Sequence, residues 1–346
     1  MKAGDSNEGR GRVVFDTVVV AYLFLGGAGA GLCLVLSILG LLIPASYLAQ
    51  TSLQPEPLAF LRYDPTLRRR TDAAISNPLR RLFAPGWGVG ALFLLVGIMC
   101  LLVDLGRIDR VVNLLMMPQL SYVSVGAYAL AVCILLAAAL GLVFARIVHH
   151  CPLWLLRAML AVEGFSALIV LLYTGMLLAS MPSVPLWNVW TLPVLFACSG
   201  LSCGIAILVC AARLSLAADA FPRVMQRLFV GGALAIVVEL VMLAVYLNQV
   251  PNAWPEGSGT ALAAATSLEM LLSGDPGMLF QLGYVVCGLI LPLIALVVLR
   301  ILSPRSDLSL VSFVLVATAF IMVGGFIMRW CIVMAGVQPT FIGLVL

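Results

Sequence analysis

Charge is what this 346-residue sequence has least of: 10% of its residues are Asp, Glu, Lys or Arg, against 63% apolar. With a mean hydropathy of +1.15, that scarcity excludes a soluble globular domain. Histidine is nearly missing too. His149 and His150 are adjacent, and successive helix positions point about 100° apart, so one helix cannot offer both to one haem and no other His completes a pair. A membrane-embedded b-type haem is therefore not expected. The nine cysteines contain no C-x-x-C and are scattered through the apolar stretches or at their edges, where a lone Cys behaves as a small hydrophobe. Iron–sulfur ligation by this chain is not expected either, and the sequence offers no cysteine cluster and no metal site. The opening MKAGDSNEGRGR is short and mixed in charge. The apolar run after it is too long for a signal-peptide core and lacks an Ala-x-Ala-like cleavage site, so the first span is expected to be retained. No internal repeat is legible, which weakens a transporter built from inverted halves.

What is present is a series of apolar stretches of about 20 residues, each able to cross roughly 30 Å of hydrocarbon. There are eight, near 17–43, 86–103, 122–144, 153–179, 189–212, 226–250, 279–302 and 308–336. The expectation is an all-α, polytopic integral membrane protein with eight transmembrane helices, a single membrane domain over 1–346. The connections that follow odd-numbered spans hold Arg62, Arg68, Arg69, Arg70, Arg80, Arg81, Arg146, Arg157, Arg213, Arg223, Arg227, Arg300 and Arg305. The other side holds Lys2, Arg10, Arg12, Arg107 and Arg110. That bias puts the arginine-rich connections in the cytoplasm and both termini outside.

The longest cytoplasmic connection, Pro44 to Pro85, carries Arg68-Arg69-Arg70 and reads as an anchor on anionic lipid headgroups; nucleic-acid binding has no support beyond that charge run. On the outer side, residues 251–278 carry Glu256, Glu269 and Asp275 and no base, and GTALAAATSLEMLLSG within them predicts a short helix ended by Gly274. Small residues cluster in the first span (Gly26, Gly27, Gly29, Gly31) and in the fifth (Ser199, Gly200, Ser202, Gly204). At such spacing they let helices approach closely, or leave room for a flat ligand between them.

Against this background four ionisable residues stand out inside or at the rim of the spans: Asp104, Glu163, Glu239 and Arg329. An isolated charge in hydrocarbon costs roughly 2.5 to 3.5 kcal/mol even on the insertion scale, so such residues tend to mark a route for protons or a polar ligand. At 1.5 Å per residue, Glu163 lies about 15 Å from the cytoplasmic start of its span and Tyr173 about 30 Å from it, near the outer rim. Arg329 is at a similar outer depth. Asp104 closes the second span on that side, with Arg107 just beyond, and Asp16 and Tyr22 open the first. Glu163 and Glu239 share a deeper layer. Alternatives stand beside these readings: Arg329 can snorkel to the outer headgroups, and Asp104 can pair with Arg107 or Arg110 at the interface.

The ordered motifs YLFLGGAGAG, LLVDLGRIDRVVNLL, YTGMLLASMPSVPLWNVWTLPVLFACSGLSCG, LLSGDPGMLFQLGYVVCGLILPLI and GGFIMRWCIVMAG run from about Phe15 to Gly336. Together they resemble the NrfD/polysulfide-reductase membrane-subunit (PsrC-like) family. That resemblance implies a multi-pass subunit in a bacterial or archaeal cytoplasmic (inner) membrane, binding quinone or quinol, with menaquinone expected, and holding no haem or iron–sulfur cluster of its own. It implies a ferredoxin-like iron–sulfur subunit on the outer face, alongside a molybdopterin catalytic subunit or a multihaem cytochrome c. By the same likeness the quinone site lies at the outer end of the first four helices. The family's aspartate of the DLGR stretch falls on Asp104, its YTG tyrosine on Tyr173 and its last-span arginine on Arg329. Some members carry an Asn and a His at the start of the first span; VVVAYLF here offers Tyr22, with Asp16 further out.

On this reading Tyr173 hydrogen-bonds a quinone oxygen and Asp104 accepts or relays a proton, with Tyr22, Asp16, Arg107 and Arg329 around the headgroup and Glu163 and Glu239 on a proton path. Electrons pass to or from a cofactor in another subunit, because the sequence offers no ligand set to hold them. Two other classes compete. One is a proton- or cation-coupled secondary transporter using the buried acids, and the other is an anchor whose polar residues only bind lipid or neighbouring subunits.

Overall fold

The computed structural model describes residues 17–44, 78–105, 122–145, 147, 151–215, 221–255, 257–274, 276–302 and 308–336. The Arg68–Arg70 run lies outside them. Every regular element among the described residues is helical, and eight helices are long and apolar enough to cross a membrane, as the hydropathy pattern predicts. They are α1 (Thr17–Leu42), α2 (Pro78–Leu105), α3 (Tyr122–Phe144), α4 (Leu153–Ala179), α5 (Thr191–Leu214), α6 (Pro222–Asn252), α8 (π-helical over Leu279–Ile290, then α-helical over Leu291–Leu302) and α9 (Leu308–Met334). The short α7 (Gly259–Ser273) joins α6 to α8. It forms where the outer connection predicts it. The Ser258 side chain accepts from the Ala261 N–H at its start, and the Gly274 N–H returns to the Glu269 and Met270 carbonyls at its end.

Helix α2 departs from expectation by starting at Pro78, about two turns before the predicted 86. Pro78 opens it, where a missing N–H costs nothing, and Pro85 is accommodated within it. The twelve-residue π-helical run in α8 has no counterpart in the hydropathy pattern, because apolar character does not choose between i→i+4 and i→i+5 bonding.

Two groups of four helices meet along α1 and α5. Helix α1 packs on α2, α4 and α5; α5 packs on α1, α4, α6 and α9; α3 closes the first group and α8 the second. Burial singles out the same pair: 72% of the central window of α1 and 61% of that of α5 are buried, against 28–39% in the other spans. Hydropathy alone gives no hint of this, since every span is similarly apolar. The peripheral helices turn Leu135, Trp154, Phe165 and Leu234 outward, as lipid contact requires.

The turn between α4 and α5 folds back over the bundle. Trp187 is fully buried and its Nε1–H donates to the Ile332 carbonyl of α9 at 2.9 Å, while Tyr246 of α6 donates to the Leu186 carbonyl at 3.0 Å. Replacing Trp187 with phenylalanine removes the first bond and leaves a void against Gly336. A loss of about 1 to 3 kcal/mol of stability is expected, read as a lowered Tm in detergent. An unchanged Tm would show that the turn is not clamped there.

Candidate functional site

Three buried polar clusters occupy the interior among the described residues. The first lies near the Thr17 end of the bundle. Tyr22 of α1 and Tyr173 of α4 are both buried, and their phenols sit close enough to interact electrostatically. The Tyr173 ring lies against the backbone of α3 at Gly126, where a Cβ would run into the ring, so this position must be glycine for the ring to sit there. One turn along α1 from Tyr22, Gly26 faces Thr174. Asp104 falls in the last turn of α2, with its side chain outside what is described; Asp16 and Arg107 also lie outside the described residues.

The second cluster joins the two helix groups around Arg329. This arginine is fully buried, so it does not snorkel to the headgroups. One terminal nitrogen donates to Ser199 Oγ (3.2 Å) and the Gly325 carbonyl (2.8 Å), the other to the Phe196 carbonyl (3.2 Å). The guanidinium sits 5.0 Å from the centroid of Phe196 and 5.8 Å from that of Phe24, and its Nε has no hydrogen-bond partner among the described residues. It fits because Gly27 of α1 presents no side chain: a Cβ there would come within 2.9 Å of the guanidinium. Beside it, the Glu239 carboxylate accepts from Ser202 (2.8 Å) and from Tyr284 (3.1 Å), the latter carried by the π-helical run. Arg329 and Glu239 interact electrostatically across this hydroxyl layer. Such partners are what a buried carboxylate and guanidinium need to persist without water.

The third cluster surrounds Glu163 on α4, fully buried between α1 and α3. Cys133 of α3 donates to its Oε1 at 3.2 Å, and the Ser166 hydroxyl reaches its main-chain carbonyl at 3.0 Å and Oε2 at 3.4 Å. Cys33 of α1 completes the group: both sulfurs and a carboxylate oxygen lie within 4.8 Å of one another.

Comparison with known proteins places the chain. The family profile described as "Polysulphide reductase, NrfD" matches residues 5–340, nearly its whole length. The chain belongs to the NrfD family. A curated relative, the C subunit of polysulfide reductase from Wolinella succinogenes, is 30% identical over 173 residues, so the match spans about half of this protein and half of that one. NrfD membership together with eight helices long and apolar enough to cross a membrane makes this a multi-pass membrane protein.

Within this NrfD protein the contacts divide the expected residues among separate clusters. Tyr22 and Tyr173 do come together. Arg329, expected in the same outer layer, is bonded instead to α5 and shares a network with Glu239. The two glutamates, expected at one depth, are held in different helix groups, a lateral separation that does not bear on depth. The expected absence of a cysteine cluster is corrected: Cys33 and Cys133, a hundred residues apart in sequence, meet at Glu163. No periodicity signals that pairing, because it depends on which spans are neighbours. Of the hydroxyls that hold the acids, Ser166 lies three residues after Glu163 on the same helix, a spacing readable in the sequence, whereas Ser202 and Tyr284 reach Glu239 from other spans, a relation visible only after folding.

Proposed function

We propose that this chain is the quinone- or quinol-binding subunit of its complex, exchanging electrons between the membrane quinone pool and an iron–sulfur subunit docked on the face where α1 begins. That face is taken as the outer one, in keeping with the arginine bias of the opposite connections. The observation that carries the reading is the juxtaposed phenol pair, Tyr22 and Tyr173, at the end of the bundle where α2 delivers Asp104.

The donor set suits a quinone: two phenol hydroxyls for carbonyl oxygens, at an end of the bundle otherwise lined by apolar side chains. When bound, that group supplies two-electron, two-proton chemistry. Tyr173 and Tyr22 orient it by hydrogen bonds, and Asp104 exchanges a proton at the water-facing end. Glu163, about 15 Å further along α4, and Glu239 in the second helix group are the next carboxylates inward and serve as proton-holding stations. The sequence offers neither a histidine pair nor C-x-x-C, so electrons pass to a neighbouring subunit's cofactor.

The test is quinol-dependent reduction of the partner's iron–sulfur clusters in the complex purified with its natural subunits. Tyr173→Phe and Tyr22→Phe keep the rings and remove only the hydroxyls; each is expected to slow that reaction about tenfold, the value of one lost hydrogen bond. Full rates in both variants and in Asp104→Asn would overturn the site. Solute uptake by the chain alone in liposomes, indifferent to quinol, would favour a transporter instead.

A further inference from the structure

The Cys33, Cys133 and Glu163 cluster is more than the proton-path reading needs. A carboxylate that only holds a proton is served by the Ser166 hydroxyl and one further donor, yet here two sulfurs from two other helices converge on it. All three side chains are buried, and they come from α1, α3 and α4, so the group is fixed by the packing of three spans. Another polar atom adjoins it. Ser37, one turn beyond Cys33 on α1, is fully buried, its hydroxyl has no hydrogen-bond partner among the described residues, and it lies against Gly164, the residue after Glu163.

We propose that Cys33, Cys133 and Glu163 form a membrane-embedded site for a thiophilic metal ion. Ligands about 2.3 Å from one tetrahedral ion lie roughly 3.8 Å apart. Atoms already within 4.8 Å therefore need only small rotamer adjustments. Thiolate donors select Cu(I) or Zn(II) over the hard cations. Charge balance separates these two. Zn(II) displaces both thiol protons and uses the carboxyl oxygen as a third ligand, with Ser37 nearby as an oxygen donor. Cu(I) needs only the two sulfurs and displaces one proton, leaving a neutral thiolate–thiol pair. In either case the charge brought into the low-dielectric interior is cancelled by protons that leave. The site stands apart from the phenol pair and does not depend on the quinone reading.

The experiment uses the protein purified with the subunits that accompany it, and two probes, Cu(I) and Zn(II), each titrated and counted by elemental analysis after desalting. The result expected is one ion more per chain in the native protein than in the Cys33→Ala/Cys133→Ala variant, with Cys100→Ala/Cys287→Ala as a control that loses none. Glu163→Gln distinguishes the ions: it is expected to weaken Zn(II) at least tenfold and to leave Cu(I) nearly unchanged. Because the double variant can fail to fold, a second measurement needs no substitution. Bound metal is expected to slow alkylation of Cys33 and Cys133 in the folded protein, where labelling of these buried thiols requires transient opening of the helix packing, as read by mass spectrometry. Equal stoichiometry in native and variant proteins, or equal labelling of both cysteines with and without metal, would overturn the proposal.

Discussion

Replacing Arg329 with leucine is expected to cost about 2 to 4 kcal/mol of stability. The guanidinium makes three hydrogen bonds, two of them to α5, and buried bonds between membrane helices average about 0.6 kcal/mol each. Its contacts with the Phe24 and Phe196 rings, in a fully buried site, add roughly 1 to 2 kcal/mol. Leucine restores some packing but no bond. Lysine is expected to fare little better, because one compact ammonium cannot span acceptors that the planar guanidinium reaches with two separate nitrogens. The cation also answers Glu239, which lacks a charged partner in direct contact among the described residues. Arg329→Leu combined with Glu239→Gln should therefore cost less than the two changes summed, by about 0.5 to 3 kcal/mol. Thermal unfolding of the four proteins in detergent measures this; additive losses would show that the hydroxyl layer does not couple the charges.

That experiment bears on what the sequence could disclose. The spans were legible because burial in lipid leaves a run of apolar residues, and seven of the eight starts fall within about one turn of the expected place. Arg329, Glu163 and Glu239 were legible for the opposite reason: a charge in such a run has to be explained. What they touch was not legible. Nothing in GGFIMRWCIVMAG says that its arginine turns toward α5 instead of the headgroups. That choice depends on Gly27 and Phe196 arriving from two other helices to make the seat. Cys33 and Cys133 read as filler for the same reason, since a sulfur among leucines becomes a ligand candidate only when a second sulfur and a carboxylate are brought beside it. Tyr284 was hidden twice over. Its approach to Glu239 requires tertiary neighbours and a π-helical register that the amino-acid pattern does not encode.

The small residues of α1 and α5 suggest a packing seam or room for a ligand, and their contacts make the first role quantitative. A Cβ at Gly31 would run into the carbonyl of Gly200, and one at Gly204 into the main chain of Gly31 and Leu32. Gly200 in turn faces the Gly27 carbonyl at 2.8 Å from its would-be Cβ. Gly27 and Gly31 on one helix and Gly200 and Gly204 on the other are each spaced by four, so two backbones touch with no side chain between them. Backbone cannot rotate aside as a leucine can; a methyl at Gly31 must push the two helix groups apart. Gly31→Ala is expected to destabilise by about 1 to 3 kcal/mol, although alanine is the better helix former by roughly 1 kcal/mol. Gly31→Leu should abolish folded protein. The matched control is Gly88 of α2, exposed and with open space where its Cβ would stand. There the helix preference acts alone, and Gly88→Ala should be neutral or stabilising by up to about 1 kcal/mol. Thermal unfolding of both alanine variants decides the point, because opposite signs at two glycines of similar intrinsic propensity can only come from the contact. The same displacement would open the Arg329 seat at Gly27.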